Sequence, residues 1–306
     1  MLISLFGAFE SGIIYAIMAL GVYLSFRILD FPDLTVDGSF VTGAAVGAIA
    51  IINGVPPIIA SIMAGAAGFI AGCLTGFLHT KGKINALLAG IIMMTALYSI
   101  NLRILGQPTA SMLNESTLFT QLKSLPSTWA IVLVMILVIL FIKFLIDYYL
   151  KTEVGLALRA TGNNKIMIRS LSANTDFLII TGMGVSNALV AFSGGLIAQY
   201  GGFADVNMGI GMIIIGLASV IIGESLFGTK TIVRATFAVI GGAIIYRIFV
   251  TMALRVDFLD TGDMKLITAI LVITALVAPR MINARKEKKR KIRKRSELMQ
   301  RKAGEA

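Results

Sequence analysis

The chain has 306 residues, 57% hydrophobic and only 14% charged, with a mean hydropathy of +0.88. Soluble globular chains carry roughly a quarter charged residues, so this composition excludes an ordinary soluble fold. Apolar segments approach the ~20 residues of a helical bilayer crossing, which also argues against a barrel of short alternating strands. The net charge of +11 is local, because twelve Lys or Arg face three acids from Arg280 onward. That run follows an apolar segment directly, so it reads as an anchor on anionic lipid rather than a nucleic-acid arm.

In chain order, the opening MLISLFGAFESGIIYAIMALG lacks a basic start and a small-residue cleavage site, so it reads as a retained span rather than a signal peptide. Spans are predicted at 5–26, 38–52, 56–78, 84–105, 129–148, 177–200, 209–223, 232–252 and 264–279. The segments 38–52 and 209–223 are short for a crossing and suit either half-helices or helices that extend into their flanks. The fold class is therefore all-α, a polytopic helical membrane protein of about nine spans. Cys73 is the only cysteine and sits among glycines in an apolar run, so disulfides within this chain play no part.

Lys and Arg in short connections mark the cytoplasmic side. HTKGK at 79–83, the region 151–176 and the tail from Arg280 are basic and belong inside; FGTKTIVR at 227–234 follows by alternation. The segments 106–128 and 253–263 then fall outside, with the N-terminus out and the C-terminus in. The connection 27–37 is the exception, since it holds Arg27 against three Asp yet lands on the inside.

That connection contains FPDLTVDGSF, residues 31–40. As a simple loop, Pro32 ends one helix, Asp37 or Ser39 caps the next, and Asp33 faces water. As an interrupted helix, Asp33, Thr35 and Asp37 supply partners for the free amides of a helix start. A similar stretch recurs 172 residues later: FADVNMGIGM aligns Phe31 with Phe203, Asp33 with Asp205, Leu34 with Val206, and Asp37 with Gly209. Upstream, Gly12 falls on Gly184 and Ala19 on Ala191. The nine-span count gives the two copies opposite directions, so the expectation is a pair of inverted repeats with interrupted helices, spans 1–4 and 6–9 about span 5. Such breaks are tolerable at membrane depth only where protein or a watery cavity covers them.

Between the fifth and sixth spans lies LKTEVGLALRATGNNKIMIRSLSANTDF. Its pattern suggests two short helices, with TGNN at 161–164 as the turn and Leu156, Leu158, Ile166, Ile168 and Leu171 as apolar anchors. An interfacial helix on anionic lipid and a docking element for a soluble partner both suit it. There is no phosphate loop of the GxxxxGK[ST] type and no Cys/His metal spacing, and His79 is the single histidine. The predicted span interiors are nearly empty of ionisable groups apart from Glu10, which favours an external energy source over gradient coupling. The small-residue stretch AGAAGFIAGCLTG at 64–76 permits close helix packing.

FPDLTVDGSFVTGAAVGA at 31–48, the opening GIIYAIMALGVYLSFRILDF and EVGLALRATGNNKIMIRSLSANTD at 153–176 resemble the permease subunits of bacterial ATP-binding-cassette importers. The group is that of branched-chain amino-acid and ribose permeases, with the nearest likeness to tryptophan/tyrosine-type permeases. The likeness implies one permease domain over 1–284, repeat units at about 5–105 and 177–279, a cytoplasmic coupling segment at 150–176, and a basic cytoplasmic tail at 285–306. It implies a multi-pass protein of the bacterial plasma membrane that imports an amino acid or similar solute and is not itself an enzyme. Its expected partners are a second permease copy as a homodimer, two ATP-binding-cassette ATPase subunits that hold ATP and Mg, and a lipid-anchored or free extracytoplasmic solute-binding protein. No cofactor is expected in this chain and no nucleic acid among its partners. The coupling residues implied are Gly155, Leu156, Arg159, Ala160, Gly162, Asn163 and Asn164, with Arg159 meeting an acid of the ATPase and Gly162 allowing the turn. The translocation path or helix breaks would use Phe31, Pro32, Asp33, Thr35, Asp37, Asp205 and Asn207. The rival functions are a channel or facilitator without an ATPase, and a membrane scaffold whose breaks are structural.

Overall fold

The computed structural model describes residues 2–123, 130–170 and 173–253, together with 266, 269–270, 273–274 and 277. The basic tail and most of the expected span 264–279 lie outside the described residues. Helix α1 (Leu2–Tyr23) widens into a π-helical turn at Leu24–Ile28. After a gap come α2 (Thr35–Ile52), α3 (Pro57–Thr80) and α4 (Ala86–Leu105). A short strand β1 (Thr109–Ser111) and the short helix α5 (Leu118–Lys123) precede α6 (Ala130–Tyr149). Two short helices, α7 (Glu153–Asn163) and α8 (Lys165–Ser170), lead into α9 (Thr175–Gly201). Strand β2 (Phe203–Asp205), α10 (Met212–Phe227) and α11 (Ile232–Ala253) follow.

Seven of these helices are long and apolar enough to cross a membrane, and α10, at 16 residues, is shorter. Their ends carry local chemistry that the sequence spells out. Pro57 opens α3, where its missing N–H costs nothing. The side chain of Asn85 accepts from Leu87 N at the start of α4, and Asn174 from Phe177 N at the start of α9. Gly106 and Gly202 take left-handed conformations that stop α4 and α9. The expected span 38–52 is a full 18-residue helix because it starts three residues earlier, at Thr35.

The 27-residue α9 packs on α2 and α3, while α1 packs on α10 and α11, and α1 and α9 also touch. Two side chains of α9 clip that last pair. Ser186 Oγ donates to Gly21 O at 2.7 Å and Ser193 Oγ to Ile14 O at 2.8 Å. Since 83% of the apolar stretch in Phe6–Ile28 is buried against 28% of that in α4, α1 belongs to the middle of the bundle and α4 to its edge. The apolar side chains that α3, α4 and α6 leave exposed, such as Ile62, Ile70, Leu88, Leu137 and Phe144, suit acyl chains.

Lipid offers no hydrophobic drive between helices, so close approach through small residues has to supply cohesion. A Cβ added at Gly43 of α2 would lie 1.8 Å from the carbonyl oxygen of Ala191 on α9, whereas one at Gly47 meets nothing nearer than 3.5 Å. Gly43→Ala should therefore destabilise the protein by about 2 kcal/mol, the scale of overpacking, and Gly47→Ala should be silent. Thermal unfolding in detergent checks this; equal behaviour of the two variants would count against the packing. On α3, Gly68 and Gly72 press on the α9 backbone in the same way, as the small-residue stretch 64–76 promised.

The basic connections gather at one end of the bundle. Lys81 lies 3.8 Å from Asp176, Arg169 pairs with Asp176, and Arg27 pairs with Glu224. The opposite end holds the antiparallel pairing of β1 with β2, Thr109 facing Asp205. This two-stranded element has no counterpart in the sequence expectation, because three-residue strands carry too few alternating positions to register as a period.

Candidate functional site

The first helix break runs from Leu29 to Leu34 and is not a solvated loop. Its helix ends at the π-turn, four residues before Pro32, so Pro32 does not terminate it; Pro32 itself is exposed. Phe31 N donates to Ser25 O at 2.9 Å, and Asp30 takes a φ of +52°, which turns the chain back into the bundle. The Phe31 ring stands edge-on to His79, 5.1 Å between centroids. Asp33 does not face water. It is fully buried, accepting from Thr35 N on Oδ1 (2.9 Å) and from Asn187 Nδ2 on Oδ2 (2.7 Å). Thr35 Oγ1 shares a hydrogen bond with Thr75 Oγ1 of α3 at 2.9 Å. A buried carboxyl is costly unless its oxygens are matched, and here α9 and the start of α2 match both.

The second break runs from Gly202 to Gly211. Asp205 Oδ1 accepts from Asn207 N at 2.7 Å, the same two-residue turn that Asp33 makes with Thr35. Its Oδ2 accepts from Thr109 Oγ1 at 2.5 Å. Asp205 is half-buried and Asn207 exposed. Asp33 and Asp205 are thus not brought together; they brace their own breaks. What joins the breaks is Asp37. Neither Asp37 nor Ser39 caps α2. Asp37 reaches across to the start of α10, accepting from Gly211 N (2.9 Å, Oδ2) and Ile213 N (2.8 Å, Oδ1). A helix start bears unpaired N–H groups and partial positive charge, so a carboxylate there satisfies both needs. Gly209 makes room, since a Cβ on it would sit 2.1 Å from Asp37 O.

The segment after α6 forms two short helices, but the expected turn is misplaced. Helix α7 runs through Thr161, Gly162 and Asn163, and only Asn164, with φ −154° and ψ 91°, breaks it before α8. Gly162 is therefore a contact rather than a hinge, because a Cβ there would fall 2.0 Å from Ile28 O of the π-turn. Gly155 likewise abuts Tyr149 O, and its N–H donates to the capping Thr152 Oγ1 at 3.3 Å. Of the expected anchors, Leu158 and Ile168 are buried while Leu156 and Ile166 are exposed; Leu171 lies outside the described residues. A groove of about 680 Å³ opens at the basic end between the first break and α7, lined by Arg27, Asp30, Leu156, Arg159, Ala160 and Asn163 among others. Asn164 lies exposed beyond it. Arg159 has no ion-pair partner among the described residues. Partial burial, and secondarily Arg169, pushes the Lys165 ammonium on α8 below its usual range.

The span interiors hold more charge than the sequence suggested. Lys143 and Asp147 of α6 form a buried ion pair one helical turn apart, with Asp147 Oδ1 accepting from Thr236 Oγ1 of α11 at 2.7 Å. The Lys143 ammonium stands over the Phe237 ring at 5.2 Å. Glu10 accepts from Tyr200 Oη at 3.0 Å, and Arg247 donates to Ser11 Oγ while facing the Tyr15 ring. These groups are matched within the bundle, which is what makes them tolerable there. The sequence reading missed Asn187, Thr75 and Thr109. A lone Asn inside the apolar run GMGVSNALV was the available signal for the first; the two threonines carried none.

Among the described residues no group of three or more His, Cys, Asp or Glu side chains is placed to hold a metal ion. The family profile described as branched-chain amino acid transport system / permease component matches residues 4–276. The chain is 41% identical over 264 residues to the tyrosine transport system permease protein of Clostridioides difficile (strain R20291), covering 86% of this chain and 87% of that one. It is 37% identical over 273 residues to an uncharacterized protein of Rickettsia prowazekii (strain Madrid E), covering 88% and 95%. In fold it is similar to a chain of PsaBC from Streptococcus pneumoniae in complex with Fab, at a TM-score of 0.53 and 13% identity over 88% of this chain and 89% of that one. Multiple apolar spans, two helix breaks capped from within, and these matches over most of the chain lead to one assignment: the protein belongs to the branched-chain amino acid transport system permease components, the multi-pass membrane permeases of ATP-binding-cassette importers, whose ATP hydrolysis resides in a separate subunit.

Proposed function

We propose that this permease imports an amino acid with an aromatic side chain, tyrosine being the first to test because that word stands in the name of a relative at 41% identity. Two copies form the pore as a homodimer in the bacterial plasma membrane, with the basic end and the C-terminus cytoplasmic. An extracytoplasmic binding protein, lipid-anchored or free, delivers the solute, and the basic tail rests on anionic lipid. Two ATPase subunits, which hold ATP and Mg, dock at the groove between the first break and α7. The observation that carries this reading is the groove itself. It sets a guanidinium with no ion-pair partner among the described residues, Arg159, beside exposed Leu156 in a mostly polar cleft, the combination that receives a protein knob bearing an acid.

The inverted-repeat architecture, with one permease domain over 1–284, belongs to the same proposal. A shift of 172 residues turns the Ser186–Gly21 contact into Ile14–Ser193, and both positions carry an α9-to-α1 hydrogen bond. The same shift relates Asp37 to Gly209, which touch each other as residues beside a two-fold axis do. The Asp33 and Asp205 turns also correspond. This supports a route for solute beside the breaks, near Phe31, Thr35 and Asp37, where half-helix ends meet.

Arg159→Glu tests the docking groove. It should insert normally into the membrane yet lose about tenfold or more in retained ATPase and in solute-stimulated ATP turnover, as expected for reversing a charge in an interface. Purification of the complex with its ATPase, followed by turnover in proteoliposomes, provides both readouts. Unchanged ATPase retention would sink the assignment. Binding of tyrosine, phenylalanine and leucine to the purified delivery protein tests the solute class, and a preference for leucine would reject an aromatic one.

A further inference from the structure

Helix α10 is held at both ends by residues that flank the first break. At its start stands Asp37, two residues inside α2. At its last turn Glu224 receives Arg27, whose Nε lies 2.9 Å from Oε1 and 3.1 Å from Oε2 while its terminal nitrogen completes the fork. The Glu224 side chain is 13% exposed, and among the described residues Arg27 is its one cationic partner. Arg27 belongs to the π-turn, a wider coil than its flanks and one that recurs at functional sites. The next residue, Ile28, presents its carbonyl to Gly162 of α7 with no room for a side chain between them. Arg27 also lines the groove beside Arg159. A continuous chain of contacts thus runs from α7 through the π-turn to α10, backbone against backbone at one joint and a planar fork at the other.

We propose that Arg27 and Glu224 are the positioning pair that carries displacement of α7 into α10. This rests on the reading of α7 as the ATPase-docking helix. A guanidinium and a carboxylate joined in a fork resist rotation as well as separation, which a lysine's point charge does not. The pair spans 197 residues of sequence, so local helix geometry does not account for it. Arg27 is more than half exposed, so Glu224→Gln, which neutralises the less exposed partner at equal size and leaves Arg27 to solvent, keeps the bundle intact. Loss of the pair separates the groove from the half-helix whose other end Asp37 holds.

The test uses the full permease, reconstituted with the ATPase that co-purifies with the parent and with the delivery protein, in four forms: parent, Arg27→Gln, Glu224→Gln and both. Glu224→Gln should keep ATPase retention and basal ATP turnover while solute-stimulated turnover falls roughly tenfold, within the range of coupling mutants. The double variant should fall no further than Glu224→Gln, since two members of one pair cannot be lost twice. Stimulation of Glu224→Gln equal to the parent's, or losses that multiply in the double variant, would overturn the proposal. Unchanged ATPase retention by Arg159→Glu overturns the docking reading and this proposal with it. Lost retention there, beside a normally stimulated Glu224→Gln, overturns this proposal alone.

Discussion

Asp37→Ala should abolish ATP-driven uptake and lower the stability of the permease by about 2–4 kcal/mol, the combined scale of losing a helix cap and leaving buried donors unmatched. The carboxylate holds Gly211 N and Ile213 N at 2.9 and 2.8 Å. In water an orphaned amide finds solvent; inside a bundle in lipid it does not, so the full desolvation cost remains. Among the described residues, the substitution also cuts the side-chain hydrogen bonding that links the two breaks. Asp37→Asn keeps a single acceptor oxygen, so one of the two bonds survives and an intermediate loss of about 1–2 kcal/mol is expected. Thermal unfolding in detergent and uptake into proteoliposomes measure the two effects separately. An Asp37→Ala protein as stable and as active as the parent would show that the cap is dispensable.

The second large effect belongs to Lys143 and Asp147. Lys143→Met leaves the Asp147 carboxylate buried with Thr236 as its one side-chain partner among the described residues, and removing one member of a buried ion pair costs about 3–5 kcal/mol. The side chains are 8% and 9% exposed, so solvent offers little relief. The double substitution Lys143→Met with Asp147→Leu removes both charges at similar volume and should return to within about 1 kcal/mol of the parent. The ordering of the three unfolding midpoints is the diagnostic result. If the double variant is no more stable than Lys143→Met, the ion pair does more than balance its own burial. In that case α6, which runs directly into the cap of α7, needs the pair to hold its register against α11.

The spans were legible because lipid leaves the backbone one solution. A segment that must satisfy its own amides becomes a helix wherever roughly twenty apolar residues run together. The edges were legible where a single residue type governs them, as with Pro57 opening α3, Asn174 capping α9 and Gly202 ending it. The turn at TGNN was misread for a related reason. Gly and Asn favour turns locally, but α7 gains more by keeping Gly162 helical and flat against Ile28 O than by breaking there. The stretch left Asn164 alone to do the breaking.

The sequence by itself determined that the chain spans a membrane many times, that an acidic stretch at 31–40 separates its first two helices, and that a basic two-helix segment interrupts the spans at 150–176. Those are properties of composition and local spacing, which act over a few residues. It also singled out Asp33 and Asp37 without saying what either holds. Tertiary structure alone decided that Asp33 is matched by Asn187, 154 residues on, and that Asp37 caps a helix 174 residues on rather than its own. It alone paired Arg27 with Glu224. The physical reason is that a carboxylate oxygen accepts from any donor that packing brings within reach. Which donor arrives depends on how close α2, α9 and α10 can lie, and that distance is set by contacts such as Gly43 against Ala191.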